Sequence, residues 1–172
     1  MDLILWRHAQ AEALPLTDEQ QRQAAAGEPV TVHIDWRADL ARALTSKGQR
    51  QAERMAAWLN THLPEGTRVL VSPAQRTQQT ALALGRSFKT INALNPQGSA
   101  DDIIKAARWP DARTPALIVG HQPTLGLVAA RLLTGQDLAW SVKKGGVWWL
   151  RGRERDGQWQ VVLQAVMNPD SL

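Results

Sequence analysis

The sequence predicts a single α/β/α sandwich with a mainly parallel central sheet and a C-terminal β-hairpin at the sheet edge. Three wholly apolar runs, at residues 3–6, 69–71 and 117–119, are typical of strands that are covered on both faces. Helical periodicities lie between these runs, and strands that alternate with helices indicate a doubly covered sheet. The 172 residues fit one domain, since domains usually have roughly 100–200 residues.

Apolar residues that recur every three or four positions predict the main helices. One such pattern covers residues 52–59, with Thr45 as a plausible N-cap upstream. A second covers residues 125–133, and Gly135 follows it as the expected C-terminal stop. Residues 101–109 form a shorter candidate. These helices are expected to cover the two faces of the sheet.

The last third of the chain changes character and predicts the hairpin. Two apolar stretches, at residues 146–150 and 158–163, flank a polar stretch that contains Asp156 and Gly157. Asp-Gly favours a tight turn because glycine adopts positive φ at little cost. We therefore expect two antiparallel strands at the edge of the sheet.

Residues 13–43 fit the α/β pattern least well. Thr17 and Gln20 have the spacing of a capping box, so a short polar helix that ends near Gly27 is predicted. The stretch that follows, through Trp36, is expected to be a surface loop. The segment is either a flap that shapes substrate choice or a tolerated insertion, and the sequence favours neither.

The composition excludes several classes of function. There are no cysteines, which excludes disulfides, thiolate metal sites and cysteine nucleophiles. No apolar run approaches the ~18–20 residues that span a bilayer, so a cytoplasmic protein without membrane contact is expected. The net charge is +4, and arginines provide 15 of the 20 basic residues. Arginine excess fits a phosphorylated partner or nucleic acid, although a coding bias explains it equally well.

Unusual polar residues follow each of the three predicted strands. Arg7 and His8 follow the first, Ser72 and Arg76 follow the second, and His121 follows the third. Ligands of open α/β sheets bind beyond the carboxyl ends of the strands, so these side chains are expected to form one site. Two imidazoles and two guanidiniums would then face a common ligand.

The second of these segments has features that predict an anion-binding helix start. Ser72 is a predicted N-cap, Pro73 suits the first helical position, and Gln75 completes a capping box. The start of such a helix presents free backbone N–H groups and a partial positive charge to an anion. Arg76 lies about one turn into this helix and is expected to reach the same anion.

The motifs in these segments resemble those of the histidine phosphatase superfamily, which has the phosphoglycerate mutase-like fold. Arg7-His8-Ala9 stands where the superfamily has its R-H-G signature. Residues 72–81 match its S-P-x-x-R-x-x-Q-T-A helix start, and residues 119–123 match the turn that carries its second histidine. The short chain, the R-H-A variant and residues 43–48 resemble the SixA-type phosphohistidine phosphatases in particular.

The resemblance implies a phosphohydrolase in which neutral His8 attacks phosphorus and forms a covalent phosphohistidine. The other ring nitrogen of His8 is expected to donate to a backbone carbonyl, which fixes the reactive tautomer. Arg7, Arg76 and His121 would bind the equatorial phosphoryl oxygens, with Ser72 as a further substrate contact. Phosphate or sulfate is an expected occupant, and neither a metal nor another cofactor is required.

One departure from the larger members bears on the substrate. Those members supply an acid after the second motif to protonate an ester oxygen, but residues 91–98 contain no Asp or Glu. The absence favours phosphohistidine in a signalling protein, because a leaving imidazole can already be protonated in solution, whereas an alkoxide needs an acid. The alternatives are a phosphatase for small phosphate esters or nucleotides and, from another class, a non-catalytic phosphate-binding module. Nucleic acid is not an expected partner, since a basic stripe interleaved with aromatic residues appears only within residues 140–155.

Overall fold

The computed structural model describes residues 1–172 and places six strands in one sheet. The strands are β1 (Asp2–Arg7), β2 (Arg68–Val71), β3 (Lys89–Thr90), β4 (Ala116–Gly120), β5 (Val147–Arg155) and β6 (Gln158–Met167). Their order across the sheet is β3-β2-β4-β1-β5-β6. The first four of these are mutually parallel, whereas β5 and β6 run antiparallel at one edge. The predicted parallel sheet with a C-terminal edge hairpin is confirmed.

Helices cover both faces of the sheet, as the sandwich prediction requires. They are α1 (Asp18–Ala25), α2 (Trp36–Leu40), α3 (Ser46–His62), α4 (Gln75–Leu82), α5 (Ala100–Ala107) and α6 (Thr124–Thr134). Successive side chains of β1 point to opposite faces. Leu3 and Leu5 pack in the core beneath α5 and α6, whereas Ile4 and Trp6 pack in the core beneath α3 and α4.

The local signals in the sequence account for most element ends. Thr45 caps α3 by accepting a hydrogen bond from the Gly48 amide, and Gly135 ends α6 in the left-handed conformation at φ 81°. The hairpin turn has Asp156 at φ 53° and Gly157 at φ 76°, which is the pair of positive φ values that a type I′ turn requires. The predicted 101–109 helix is α5, which ends two residues earlier than expected.

The 13–43 segment contains more structure than predicted. α1 begins with the expected capping box between Thr17 and Gln20. The loop expected through Trp36 is wrong at its end, because α2 begins at Trp36. Asp35 initiates α2 by accepting hydrogen bonds from two backbone amides. Asp39 is the one buried residue of the whole segment.

None of the helices is both long enough and apolar enough to cross a bilayer.

Candidate active site

Strand register brings the three predicted segments to the same edge. Trp6 of β1 and Val71 of β2 both pair with Val119 of β4, so the residues after them emerge at one level. The rings of His8 and His121 consequently lie with centroids 5.4 Å apart and planes tilted by 53°. The expectation that these distant segments converge is met by the structure.

His8 is held in one orientation by its backbone. Its Nδ1 lies 2.7 Å from the carbonyl oxygen of Ala9, whereas Nε2 makes no hydrogen bond within the protein. A carbonyl can only accept, so Nδ1 carries the proton and Nε2 keeps its lone pair. Burial, which is the largest cause, and the charges of Arg76, Arg7 and Arg42 together lower the pKa of His8 to about 3 against the opposing Ala9 hydrogen bond. The imidazole is therefore neutral at neutral pH.

His121 is also neutral, but its partners differ. Its Nε2 lies 2.7 Å from the hydroxyl of Ser72, and its Nδ1 is buried without any partner. Burial, which is the largest cause, and the neighbouring groups of Arg76, His8, Arg7 and Arg42 together lower the pKa of His121 to about 2. A buried nitrogen without a partner in the protein is uncommon, so Nδ1 of His121 is available for a hydrogen bond to a ligand.

The prediction that Ser72 caps α4 is wrong. The helix begins at Gln75 with Ala74 as its N-cap, and no side chain caps it. The hydroxyl of Ser72 contacts His121 instead, and the side chains of Thr77 and Gln78 donate to the Ser72 carbonyl. The hydroxyl and the carbonyl of Ser72 are therefore both hydrogen-bonded without a contribution to the helix cap. Ser72 has no exposed surface, so its direct contact with substrate stays a prediction.

Two arginines expected to bind phosphate lie in this cluster. The terminal nitrogens of Arg76 donate to the backbone oxygen and the carboxylate of Asp39, at 2.8 and 3.1 Å. Arg7 donates from Nη1 to the carbonyl of Val142 at 2.8 Å. The Nε atoms of both guanidiniums are buried without a partner. Burial lowers the pKa of both arginines, and the charge of Arg76 adds to the lowering for Arg7.

Asp39 and Arg42 belong to the same cluster, and sequence reasoning missed both. Asp39 bridges two guanidiniums, with one carboxylate oxygen 3.0 Å from Arg42 and the other 3.1 Å from Arg76. Nothing in the sequence distinguishes Asp39 from the neighbouring acids of an exposed segment. With both histidines neutral, the cluster of Arg7, Arg42, Arg76 and Asp39 carries two net positive charges. That value matches a phosphate dianion.

The loop after His8 is clamped by the start of α3. The amide of Thr45 donates to the carbonyl of Gln10 at 3.0 Å, and the amide of Gln10 donates to the side chain of Gln51 at 3.0 Å. Gly48 allows this approach, because a Cβ at that position would lie 1.9 Å from the Gln10 carbonyl oxygen. The close contact between the loop and α3 accounts for a glycine at position 48, three residues after the N-cap Thr45.

A cavity of about 630 Å³ borders the cluster. Arg76, Gln122 and Pro123 line part of the cavity, and the 13–43 segment, including Asp39, supplies most of the remaining lining. The volume falls within the roughly 300–1,000 Å³ that is usual for ligand sites. No three His, Asp or Glu side chains are grouped so as to hold a metal ion. A reaction that needs no metal stays a prediction.

Comparison with known proteins decides the family. The family model described as histidine phosphatase superfamily, branch 1, matches residues 3–95, more than half of the chain. The chain belongs to the histidine phosphatase superfamily. The three motifs that predicted this membership are the ones whose strand ends meet in the structure.

Relatives of this histidine phosphatase superfamily member are similar over much of their length. The phosphohistidine phosphatase SixA of Escherichia coli (strain K12) is 32% identical over 114 residues, 60% of this chain and 69% of that protein. An uncharacterised protein of Mycobacterium leprae (strain TN) is 34% identical over 101 residues. That match covers 55% of this chain and 60% of the Mycobacterium protein.

A solved structure extends the similarity to the whole fold. The SixA-type phosphohistidine phosphatase from Nakamurella multipartita superposes with a TM-score of 0.69 at 27% identity. The superposition covers 98% of this chain and 95% of that one. The phosphoglycerate mutase-like fold and the SixA-type resemblance are thereby confirmed, and the family supports phosphatase activity.

Proposed function

We propose that this chain is a phosphohistidine phosphatase that works through a covalent phosphohistidine on His8. The observation that carries the proposal is the state of His8. One nitrogen is fixed to the Ala9 carbonyl at 2.7 Å, and the other is unpartnered at the edge of a cationic cluster. A nucleophilic imidazole needs a free lone pair and a fixed orientation, and both conditions hold here.

The surrounding charges suit a phosphoryl group. In phosphoryl transfer, negative charge is spread over the equatorial oxygens, so fixed donors around them lower the barrier. Arg7 and Arg76 supply guanidiniums with unpartnered Nε donors. Because these groups are already oriented by Val142 and Asp39, little reorganisation is needed when substrate binds.

Ser72 determines which nitrogen of His121 carries the proton. The Ser72 hydroxyl lies 2.7 Å from Nε2 of His121 and accepts from the Ala74 amide at 3.3 Å, and we assign its own proton to a hydrogen bond with Nε2. The proton of neutral His121 then resides on Nδ1, the buried nitrogen without a partner. His121 becomes a hydrogen-bond donor for a phosphoryl oxygen, and Ser72 acts as a positioning residue.

The acids near the site favour a phosphoramidate over an ester. Asp39 is held between two arginines, and Asp35, which also lines the cavity, accepts from two backbone amides as the cap of α2. Asp102 closes the capping box of α5, and Asp101 pairs with Arg131. None is free to protonate an alkoxide. A phosphohistidine substrate needs no such acid, since its imidazole leaves after protonation from solvent.

The reaction balances in two displacements. Nε2 of His8 forms a bond to phosphorus while the P–N bond of the substrate breaks and the departing imidazole keeps that electron pair and its proton. The oxygen of a water molecule then bonds to phosphorus while the Nε2–P bond breaks, so Nε2 regains its electron pair and His8 is again a neutral imidazole. The attacking water loses one proton to solvent, and inorganic phosphate is released.

Rapid quench of the enzyme with phosphorus-labelled phosphohistidine peptide tests the proposal. We expect acid-labile, base-stable label on wild-type protein, mapped to His8, and no label on His8→Ala. Hydrolysis of phosphoramidate should follow the same pattern. The matched control is His62→Ala, because His62 is exposed and contacts Trp58 away from the site.

The two alternatives give different results. A phosphatase for small esters would turn over sugar phosphates or nucleotides faster than phosphohistidine peptide. A non-catalytic module would bind phosphate in a manner that depends on Arg7 and Arg76, yet neither accumulate label nor release phosphate.

A further inference from the structure

The cavity beside the cluster has an unusual apolar wall. Half of the exposed large apolar side chains in the protein lie within the 13–43 segment. They are Leu14, Leu16, Val30, Val32, Ile34 and Trp36, and all six line the cavity. Exposed apolar groups gathered on one concave surface mark a binding site more often than single exposed residues do.

The polar side chains of the cavity are largely occupied by the protein itself. Thr17 and Gln20 bond to each other's backbone, and the Gln122 amide bonds to Trp140 and Gly126. Asp35 caps α2, and Asp39 holds the two arginines. These groups are therefore poorly placed to bind the hydroxyls of a sugar or the edge of a base.

The cavity also lacks a second cationic site. Arg76 is the one arginine or lysine in its lining, and Arg76 faces the proposed phosphoryl position. A second phosphate or a free carboxylate of a ligand would find no other arginine or lysine there, and His33 is the one further side chain of the lining that could face such a group. Free phosphohistidine carries a carboxylate, whereas the same residue within a polypeptide has neutral amides on both sides.

We infer that the cavity binds the polypeptide around the phosphohistidine through large apolar side chains next to it. The inference rests on the proposed function and names its substrate class, a phosphohistidine protein whose modified segment is apolar. The phosphoryl group would lie between His8 and Arg76, and the flanking side chains would contact Val32 and Ile34. The 13–43 segment is then a specificity flap.

Three probes separate the chemistry from the recognition. Two are capped phosphohistidine peptides of equal length and charge, one with leucine and isoleucine beside the histidine and one with serine and glutamine. The third is phosphoramidate, whose leaving group is ammonia and has no side chain to contact the apolar wall. We expect the wild type to favour the apolar peptide by at least about tenfold in kcat/KM, since one methylene in a fitted pocket is worth about that much.

The double variant Val32→Ser with Ile34→Ser tests the flap directly. Both side chains are mainly exposed, at 75% and 53%, so the substitutions should cost little folding free energy. We expect the peptide preference to fall below about threefold and phosphoramidate turnover to stay within about twofold. The control is Leu82→Ser with Leu163→Ser, exposed apolar residues outside the cavity, which should keep the full preference.

The outcomes are distinct. No preference in the wild type, or a preference that survives in the double variant, overturns the inference while phosphoramidate turnover leaves the proposed function standing. Turnover of an aryl monoester such as naphthyl phosphate could instead fall in the double variant while turnover of the peptides does not. That result overturns the polypeptide and assigns the cavity to a small apolar ligand. Failure of the wild type on both phosphoramidate and peptides overturns the proposed function, and this inference with it.

Discussion

The cavity is bounded by two regions that are built in opposite ways. The cluster around His8 and His121 is buried, carried by strand ends and fixed by backbone contacts. The 13–43 segment is mostly exposed, Asp39 is its one buried residue, and the Asp39 carboxylate pairs with Arg76 of the cluster. The contrast indicates that recognition can change in the segment without moving the reacting groups, provided that the Asp39 contacts persist.

Replacement of the proposed nucleophile should have the largest effect and tests whether the two regions act separately. For His8→Ala, we expect kcat on phosphoramidate to fall by at least about 10⁴-fold, as with other nucleophile knockouts. The Val32 and Ile34 double variant should leave the same rate nearly unchanged. Steady-state phosphate release measures both, and comparable losses in the two variants would show that the regions are not separable.

Asp39 is where the two regions meet, and its removal should affect both. In Asp39→Ala, Arg76 loses its hydrogen bond to the carboxylate and keeps only the one to the backbone oxygen, so its guanidinium can move away from the proposed phosphoryl position. A displacement of about 1 Å can cost about 100-fold in rate, so we expect kcat/KM on phosphoramidate to fall by about 10- to 100-fold. Inhibition by inorganic phosphate should weaken in parallel.

The matched control for Asp39 is Asp137→Ala, which removes an exposed carboxylate that also pairs with an arginine. Surface ion pairs contribute about 0–1 kcal/mol to stability, and Asp137 lies outside the cavity. Its kinetics should match the wild type. A normal Asp39→Ala enzyme would remove Asp39 from the site and leave the flap without its ionic connection.

Ser72 allows a smaller test within the buried cluster itself. Ser72→Ala should lower kcat by about tenfold, or about 1.4 kcal/mol, with little change in KM, because His121 then populates both tautomers. Ser72→Thr keeps the hydroxyl and should recover part of the loss. A variant that loses stability but keeps kcat and its pH profile would assign Ser72 a packing role only.

The smallest expected effect concerns stability and pH. Burial depresses the folded-state pKa of His8 to about 3 and of His121 to about 2, below the ordinary value of 6.5. The unfolded chain therefore binds more protons below pH 6.5, so the stability contributed by each neutral histidine is present above 6.5 and lost as pH falls towards the folded values.

Between pH 7 and pH 5.5, this linkage amounts to about 1 kcal/mol for each histidine. Urea unfolding at the two pH values measures it, with His8→Asn/His121→Asn as the comparison. The wild type should lose more stability than the double variant over this interval. Equal losses would mean that the two imidazoles titrate normally in the folded protein.

The sequence predicted the parts of the molecule that local patterns encode. Apolar strands, helix caps and the Asp-Gly turn depend on neighbouring residues, and the motifs that contain His8, Arg76 and His121 follow the strands directly. Asp39 could not be predicted, because its burial depends on a tertiary contact with Arg76 made by an otherwise polar segment. The role of Ser72 was missed for a similar reason, since its partner lies 49 residues away and competes with helix capping.

Trp6, Val71 and Val119 are paired across three neighbouring strands, so the position of the residues that follow them depends on strand length. A single residue inserted into β1 would exchange its two faces and place leucines where Ile4 and Trp6 now pack. The same change in register would also move the His8 imidazole out of its position beside His121. Indels are therefore far better tolerated in the segment that bounds the cavity than in the six residues of β1.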